Sequence, residues 1–256
     1  MRSREDRDAV GSFLLAQGWA GLHFGDTLRR LEAEEDPAGF ELLWVRGPAA
    51  EVRATALVHG RRLHLFAPNR DEHPAAAGLL EERLHALDRV NCLEAHLPLD
   101  LSELFSVHLR EMTVAATLRV PARQLPEVRV ATPGDGAELW RIYDPVPWMR
   151  LGSPAEWTAK VARERTWVAE LDGQLVAAAR WTKAFGQVVE VGGVAADPAL
   201  RRRGAGTAVV LAATAAALAE GLTPVLCFGD PELRPLYHRL GYELVGREFA
   251  FQRSLV

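Results

Sequence analysis

Cysteine, lysine and long apolar runs are scarce in this sequence of 256 residues. Two cysteines, Cys92 and Cys227, make no disulfide framework and stand outside any zinc-ligand spacing. Free buried thiols in a reducing compartment are the expectation. Lysine occurs only at 160 and 183, so 28 of the 30 basic residues are arginine. The longest apolar run, Thr207 to Ala219, has 13 residues, short of the ~20 that span a bilayer. The N-terminus, MRSREDRDAVGSFLLAQ, has charges of mixed sign and no apolar signal-peptide core. A cytoplasmic protein is therefore expected, with no membrane partner. The net charge of −4 gives no electrostatic footprint for nucleic acid. Of the eight histidines, seven precede residue 127. His59 and His64 flank a turn, but their spacing fits no common metal pattern, and no metal is expected.

What is present is a globular composition. Hydrophobic residues make up 48% and charged residues 25%, enough apolar material for a core and too much for a disordered chain. Residues 1–126 hold 15 basic and 19 acidic residues, and residues 127–256 hold 15 of each. The clearest break is Pro121-Ala-Arg-Gln-Leu-Pro126, an extended connector by its two prolines. The expected division is a domain over 1–120, a linker over 121–126 and a second domain over 127–256.

The second half alternates element types. Strand patterns occupy 127–131, 166–171, 174–183, 188–196 and 224–228, with a final strand from Tyr242. Helical patterns lie near Trp140, at 155–163, at 204–220 and at 231–240. The turn Asp172-Gly173 marks an antiparallel hairpin. The result is a mixed α/β fold with a central, mostly antiparallel sheet. The first half repeats the later part of this order. Strands are expected at 40–46, 52–59 and 61–67, a helix at 75–89, a strand at 92–97, a helix at 100–109 and a strand at 112–120. The stretch Glu103–Leu109 resembles Arg234–Leu240, with Phe105 taken as the counterpart of Tyr237. Two copies of one fold are the expectation, with an unrelated α+β domain as the competing view.

The chemistry concentrates in Val194-Ala-Ala-Asp-Pro-Ala-Leu-Arg201-Arg-Arg-Gly204-Ala-Gly206. A strand enters an arginine- and glycine-rich turn that opens a helix. The first turn of a helix exposes unpaired N–H groups and the positive end of its dipole. Gly204 and Gly206 allow an anion close to the backbone, and Arg201, Arg202 and Arg203 add positive charge. No Gly-Lys-Ser/Thr follows, so this is not a nucleotide P-loop, and the third glycine of the dinucleotide fingerprint is missing. A capped helix with a solvated arginine turn is the plainer alternative. Glu190 lies between apolar strand residues, where burial would suit a carboxylate to act as a base near neutral pH. Gly192-Gly193 is a pair typical of a bulge or of close backbone approach, and a strand amide there suits an oxyanion.

Arg201-Arg-Arg-Gly-Ala-Gly206 resembles the acyl-CoA pyrophosphate loop of the GNAT superfamily of N-acetyltransferases. Leu236-Tyr237-His-Arg-Leu-Gly241-Tyr242 resembles that family's next motif. The resemblance covers about residues 127–256. It implies that the backbone of Val194, Ala195 and Ala196 holds the pantetheine arm. It also implies that the stretch Arg201, Arg202, Arg203, Gly204, Ala205, Gly206, Thr207 cradles the pyrophosphate. Asp230 stands where many members have an asparagine that contacts the CoA arm. Glu190 takes the position of a general base, and Tyr237 that of the tyrosine that protonates the departing thiolate. Acetyl-CoA is thus the implied co-substrate, and a small-molecule or peptide amine the implied acceptor, attacked directly in a ternary complex. A longer acyl-CoA, or a CoA-binding module without turnover, is the alternative. A nucleic-acid module resting on Arg201–Arg203 is a more distant one.

Family geometry implies an acceptor site at the loop Tyr143-Asp-Pro-Val-Pro-Trp148. Trp148 and Trp181 suit stacking on an acceptor, and Asp144 suits pairing with its amine. The first half is expected to be a degenerate copy, since it has no Arg-x-x-Gly-x-Gly and has Phe105 in place of the tyrosine. Such two-part chains resemble tandem acyltransferases with one degenerate half, such as the glycine N-acyltransferase-like group. A monomer or homodimer is expected.

Overall fold

The structure, a computed structural model, describes residues 4–33, 40–97, 100–101, 103–122, 124–147, 149–200 and 202–253. In chain order the first elements are α1 (Arg4–Ala16), α2 (Leu22–Glu32), β1 (Glu41–Arg46), β2 (Val52–His59) and β3 (Arg62–Phe66). Then come α3 (His73–Glu81), β4 (Arg89–Leu93) and β5 (Phe105–Ala115). The second half holds β6 (Glu127–Val130), α4 (Gly136–Tyr143), α5 (Pro154–Val161), β7 (Thr166–Leu171), β8 (Gln174–Phe185) and β9 (Val188–Ala196). It ends with α6 (Ala205–Ala219), β10 (Thr223–Phe228), α7 (Arg234–Arg239) and β11 (Tyr242–Arg253). No helix among the described residues is long and apolar enough to cross a membrane.

Two compact units result, and they do not follow a single cut at 121–126. One takes Met1–Thr113, Phe228–Pro231 and Leu244–Val256, the other Val114–Cys227 and Glu232–Glu243. The reason is β11. From Glu248 to Gln252 it runs antiparallel to β4, so the end of the chain completes the sheet of the first unit.

In the first unit the strand order is β1-β2-β3-β4-β11-β5. The β1–β3 meander is antiparallel, and β3 runs parallel to β4. Leu63 and Leu65 point to the face that packs with Ala76 and Leu80 of α3, while Phe66 meets Phe13 of α1 edge-on at 5.8 Å. Successive strand side chains point to opposite faces, which gives the sheet two apolar sides for two sets of helices. Helix α2 fits because Phe24, Leu28 and Leu31 recur at helical spacing and are buried. These two N-terminal helices were not foreseen. The helix expected at 100–109 is not there either, and β5 begins at Phe105. The stretch Phe105-Ser-Val-His-Leu109 alternates apolar and polar residues with period two, which is a strand pattern. Phe105 is therefore not the counterpart of a helical tyrosine. It packs in the core under the Arg253 guanidinium, 4.9 Å from its ring.

The second unit has the strand order β10-β9-β8-β7-β6. The β6–β9 strands are antiparallel and β9–β10 is parallel. On one face Val168, Leu175, Ala178 and Ala195 pack with Leu139, Ile142 and Tyr143 of α4 and Trp157 of α5. On the other, Trp167, Ala169, Ala179 and Val191 pack with Ala205, Val209 and Ala213 of α6. The alanines of α6 let it lie close on the strands, and its apolar residues all round suit burial. The run helix, helix, three antiparallel strands, helix, parallel strand occurs in both units, as α1–β4 and as α4–β10, with the four strands adjacent in the same sequence each time.

Candidate active site

Strands β9 and β10 pair over three positions only, ending at Glu190 opposite Val225. Beyond that point no pairing joins the strands, and the β10-side edge of Val191–Ala196 is left outside the ladder. On its other side β9 keeps β8, with Ala178 opposite Ala195 and Arg180 opposite Gly192. Gly193 and Val194 are thus an extra pair facing Ala179 alone, a bulge. Gly193 takes φ +57°, which favours glycine, and a Cβ there would lie 2.8 Å from Arg180 Nε, so any larger residue would have to displace the Arg180 side chain. The backbone of Val194, Ala195 and Ala196, expected to hold a pantetheine arm, belongs to this bulged strand end.

The turn that follows is held from below. Asp197 accepts the Ala199 N–H at 2.9 Å and the Arg141 guanidinium at 2.5 Å. The backbone hydrogen bond first, and Arg141 second, hold its carboxyl below the usual carboxylate range. Arg202 takes φ +66° and Gly204 φ +89°, left-handed conformations that bend the chain into α6 and that cost a non-glycine residue energy. Gly204 caps α6 without any side-chain hydrogen bond. A Cβ on Gly206 would meet nothing within 4 Å, so space lies open over the first turn. Arg202 and Arg203 are exposed and make no ion pair among the described residues. Arg201 lies outside the described residues. Amides without a side-chain cap, a helix dipole and two exposed guanidinium groups are the elements from which an anion site is built. The equivalent start of α3 in the first unit also lacks a side-chain cap, but it carries the Glu72 carboxylate, paired with Arg53 at 2.7 Å, and a proline in its first turn where α6 has Gly206.

A groove of about 370 Å³ adjoins the first turn of α6, lined by Thr207, Leu236, Leu240, Arg239, Arg119 and the Val120-Pro121 stretch. Thr207 and Ala205 are buried at its base. Tyr237 on α7 is buried, with its ring edge-on to Tyr242 at 6.2 Å. Tyr242 in turn shares a hydrogen bond with Thr214 of α6 at 2.7 Å. Helix α7 is thereby pinned to α6, which fixes the place of Tyr237.

Glu190 is buried, 5% exposed, at the apex where β9 and β10 part. Its Oε2 accepts from Thr182 Oγ1 at 2.5 Å and from Lys183 Nζ at 2.7 Å. Lys183 is its direct cross-strand partner on β8. A buried carboxylate survives when charge-paired and hydrogen-bonded, and both conditions are met. Sequence reasoning missed Lys183 and Thr182. The signal was the two-residue turn Gly186-Gln187, which sets Phe185 opposite Val188 and hence Lys183 opposite Glu190.

The expected acceptor wall does not hold together as one surface. Tyr143 is fully buried, its ring stacked on Trp157 at 4.2 Å and its hydroxyl donating to the Gly193 carbonyl at 2.5 Å. It is a core residue because α4 presents it inward with Leu139 and Ile142. Trp181 packs on the α6 face, and its Nε1 donates to Ala213 O at 3.1 Å. That is the face opposite α4, so Trp181 does not join Tyr143. Asp144 is half-exposed and paired with Arg150 at 3.1 Å. Trp148 lies outside the described residues. Asp230 is exposed, in the segment Phe228–Pro231 of the first unit.

Comparison with known proteins gives a fold and a family likeness. Residues 135–242 match the model of the Acetyltransferase (GNAT) family. Solved structures share the fold along the whole chain. A GCN5-related N-acetyltransferase from Kribbella flavida has 21% identity and a TM-score of 0.59, covering 93% of this chain and 97% of its own. A GNAT-family acetyltransferase from Colwellia psychrerythraea has 14% identity and a TM-score of 0.66, covering 99% and 98%. A tandem GNAT protein from the clavulanic acid biosynthesis pathway has 14% identity and a TM-score of 0.58, covering 98% and 97%. No curated protein matches the sequence. The mixed α/β fold is thus the GNAT fold, and a tandem GNAT protein is among the structures that share it over the full length.

Proposed function

We propose that the second unit moves an acetyl group from acetyl-CoA to a primary amine by direct attack. One observation carries the reading: the uncapped, doubly cationic start of α6 follows directly on a strand end that has lost its β10 partner beside a buried Glu190. The fit to CoA rests on the residues themselves. Gly204, Ala205, Gly206 and Thr207 supply amides for a diphosphate, with Arg202 and Arg203 beside them. Arg201 keeps the CoA-contact role that the family resemblance gives it. The groove at Thr207, Leu236 and Leu240, with Arg119 and Arg239 at its rim, suits an adenosine with a phosphate. The free edge of Val194–Ala196 offers strand-like hydrogen bonds to the amides of a pantetheine arm.

In this reading Glu190 removes a proton from the incoming ammonium, directly or through water, which frees the amine lone pair. Lys183 and Thr182 hold the carboxylate in place. A backbone N–H of the Gly193–Val194 bulge takes the charge that develops on the carbonyl oxygen during attack. Tyr237 gives its proton to the sulfur as the carbon–sulfur bond breaks. The first unit has an acid, Glu72, and a proline at the start of α3 in place of the glycines and arginines of α6, and it serves as a degenerate partner copy. A cytoplasmic setting suits the acetyl-CoA supply.

The test is thermal stabilisation by acetyl-CoA together with thiol release across a panel of amines. Stabilisation and amine-dependent release support the reading. Stabilisation without release under any amine points to a CoA-binding module, and the absence of both removes the transferase reading.

A further inference from the structure

The Gly193 bulge is held by side chains that none of the steps above uses. Tyr143 Oη donates to the Gly193 carbonyl at 2.5 Å from a fully buried position. The Arg180 guanidinium lies against Gly193, its Nε 2.8 Å from where a Cβ would stand. Arg180 is buried, pairs with Glu164 at 2.5 Å, and covers the rings of Tyr143 and Trp157 at 5.7 and 5.3 Å. Burial pushes the Tyr143 hydroxyl up to about 12, with Arg180 pulling the other way, so near neutral pH it keeps its proton and remains a donor. The peptide joining Gly193 to Val194 is planar and trans, so its carbonyl and its N–H point in opposite directions. Fixing the carbonyl oxygen therefore fixes the direction of the Val194 N–H.

We propose that Tyr143 is a positioning residue whose hydroxyl, wedged by the Arg180–Glu164 pair, anchors the Gly193 carbonyl and so aims the Val194 N–H at the reacting carbonyl oxygen. The proposal deepens the acetyl-transfer reading of the same site and rests on it. A donor aimed at the charge of the transition state acts on kcat rather than on binding of the ground state. A bulge that only terminates a strand would not do so.

Tyr143→Phe keeps the ring, the stack on Trp157 and the burial, and removes only the anchor. Three measurements on the full chain decide the matter: kcat and KM for acetyl-CoA, the thermal midpoint, and the Gly193 carbonyl-carbon NMR shift in the unliganded protein. The expected result is a fall in kcat of about tenfold or more with KM for acetyl-CoA within about twofold. The Gly193 carbonyl shift should move, because that carbonyl loses its hydrogen bond. Unchanged kcat with an unchanged carbonyl shift overturns the proposal, as does a loss confined to KM. If the unaltered protein releases no thiol with any amine, the acetyl-transfer reading falls, and an unchanged carbonyl shift separately removes the anchoring role. Should Tyr143→Phe fail to fold, Glu164→Gln loosens Arg180 from its far side, and the same carbonyl shift is expected to move.

Discussion

Lys183 and Glu190 face each other across neighbouring strands, Nζ to Oε2 at 2.7 Å, with the carboxylate buried where β9 and β10 part. The pair keeps a carboxylate in a site that would otherwise reject a charge. Glu190→Gln removes the proton acceptor while keeping the size and the Thr182 contact. The expected outcome is a fall in kcat of about 100-fold or more, the usual worth of a general base. Acetyl-CoA binding, followed by titration calorimetry, should stay within about twofold. A variant with full turnover would remove Glu190 from the mechanism.

Tyr237→Phe loses only a hydroxyl, and its ring still meets Tyr242. Thiolate release without a proton donor is slower, so kcat should fall by about tenfold to 100-fold. The pH profile of kcat should lose its alkaline limb. A profile identical to that of the unaltered protein would make Tyr237 a packing residue only.

Gly206→Val fills the open space over the first turn of α6, where a Cβ meets nothing within 4 Å. The fold therefore tolerates it, and the thermal midpoint should barely move. Acetyl-CoA affinity should drop by about tenfold or more, since the side chain stands where the diphosphate is placed. Arg202→Ala with Arg203→Ala should weaken affinity and flatten its salt dependence, because two exposed charges are removed. Unaltered affinity in both variants would detach the turn from ligand binding.

His96 in the first unit gives a prediction about stability alone. Burial, with a smaller contribution from His73, pushes its pKa down to about 4 from 6.5, and its Nδ1 has no partner among the described residues. Its ring lies edge-on to Phe66 at 4.5 Å. Between those values the unfolded chain takes up a proton that the folded chain refuses. Stability thus falls as pH drops through 6.5 and continues to fall until about 4. Denaturant midpoints for His96→Leu should be flatter over this range than those of the unaltered protein. Parallel curves would place the acid sensitivity elsewhere.

Much of the second unit could be read in advance because its signals are local. The period-two strands, the Asp172-Gly173 hairpin and the alanine-rich α6 all lie within short windows, and so does the Arg-Gly turn that opens it. Glu190 and Tyr237 were singled out from equally short windows. What failed was non-local. The charged start of α1 and the masking polar residues of α2 hid two helices whose apolar stripes, Val10 and Leu14 or Phe24 and Leu28, needed a sheet to show their purpose. Phe105–Leu109 was read by its likeness to another segment rather than by its own alternation. The return of β11 to β4 joins residues more than 150 apart, which no window can see. Tyr143 and Trp181 were assigned to one wall because sequence carries no record of which sheet face a residue meets.

The central claim is that backbone amides at the start of α6 grip the diphosphate of CoA. A crystal structure of the full chain with acetyl-CoA tests it most directly. The account predicts the diphosphate within hydrogen-bond distance of the amides of Gly204 to Thr207 and the pantetheine arm along Val194–Ala196. Coenzyme A bound anywhere else, with that turn left to water, would contradict it.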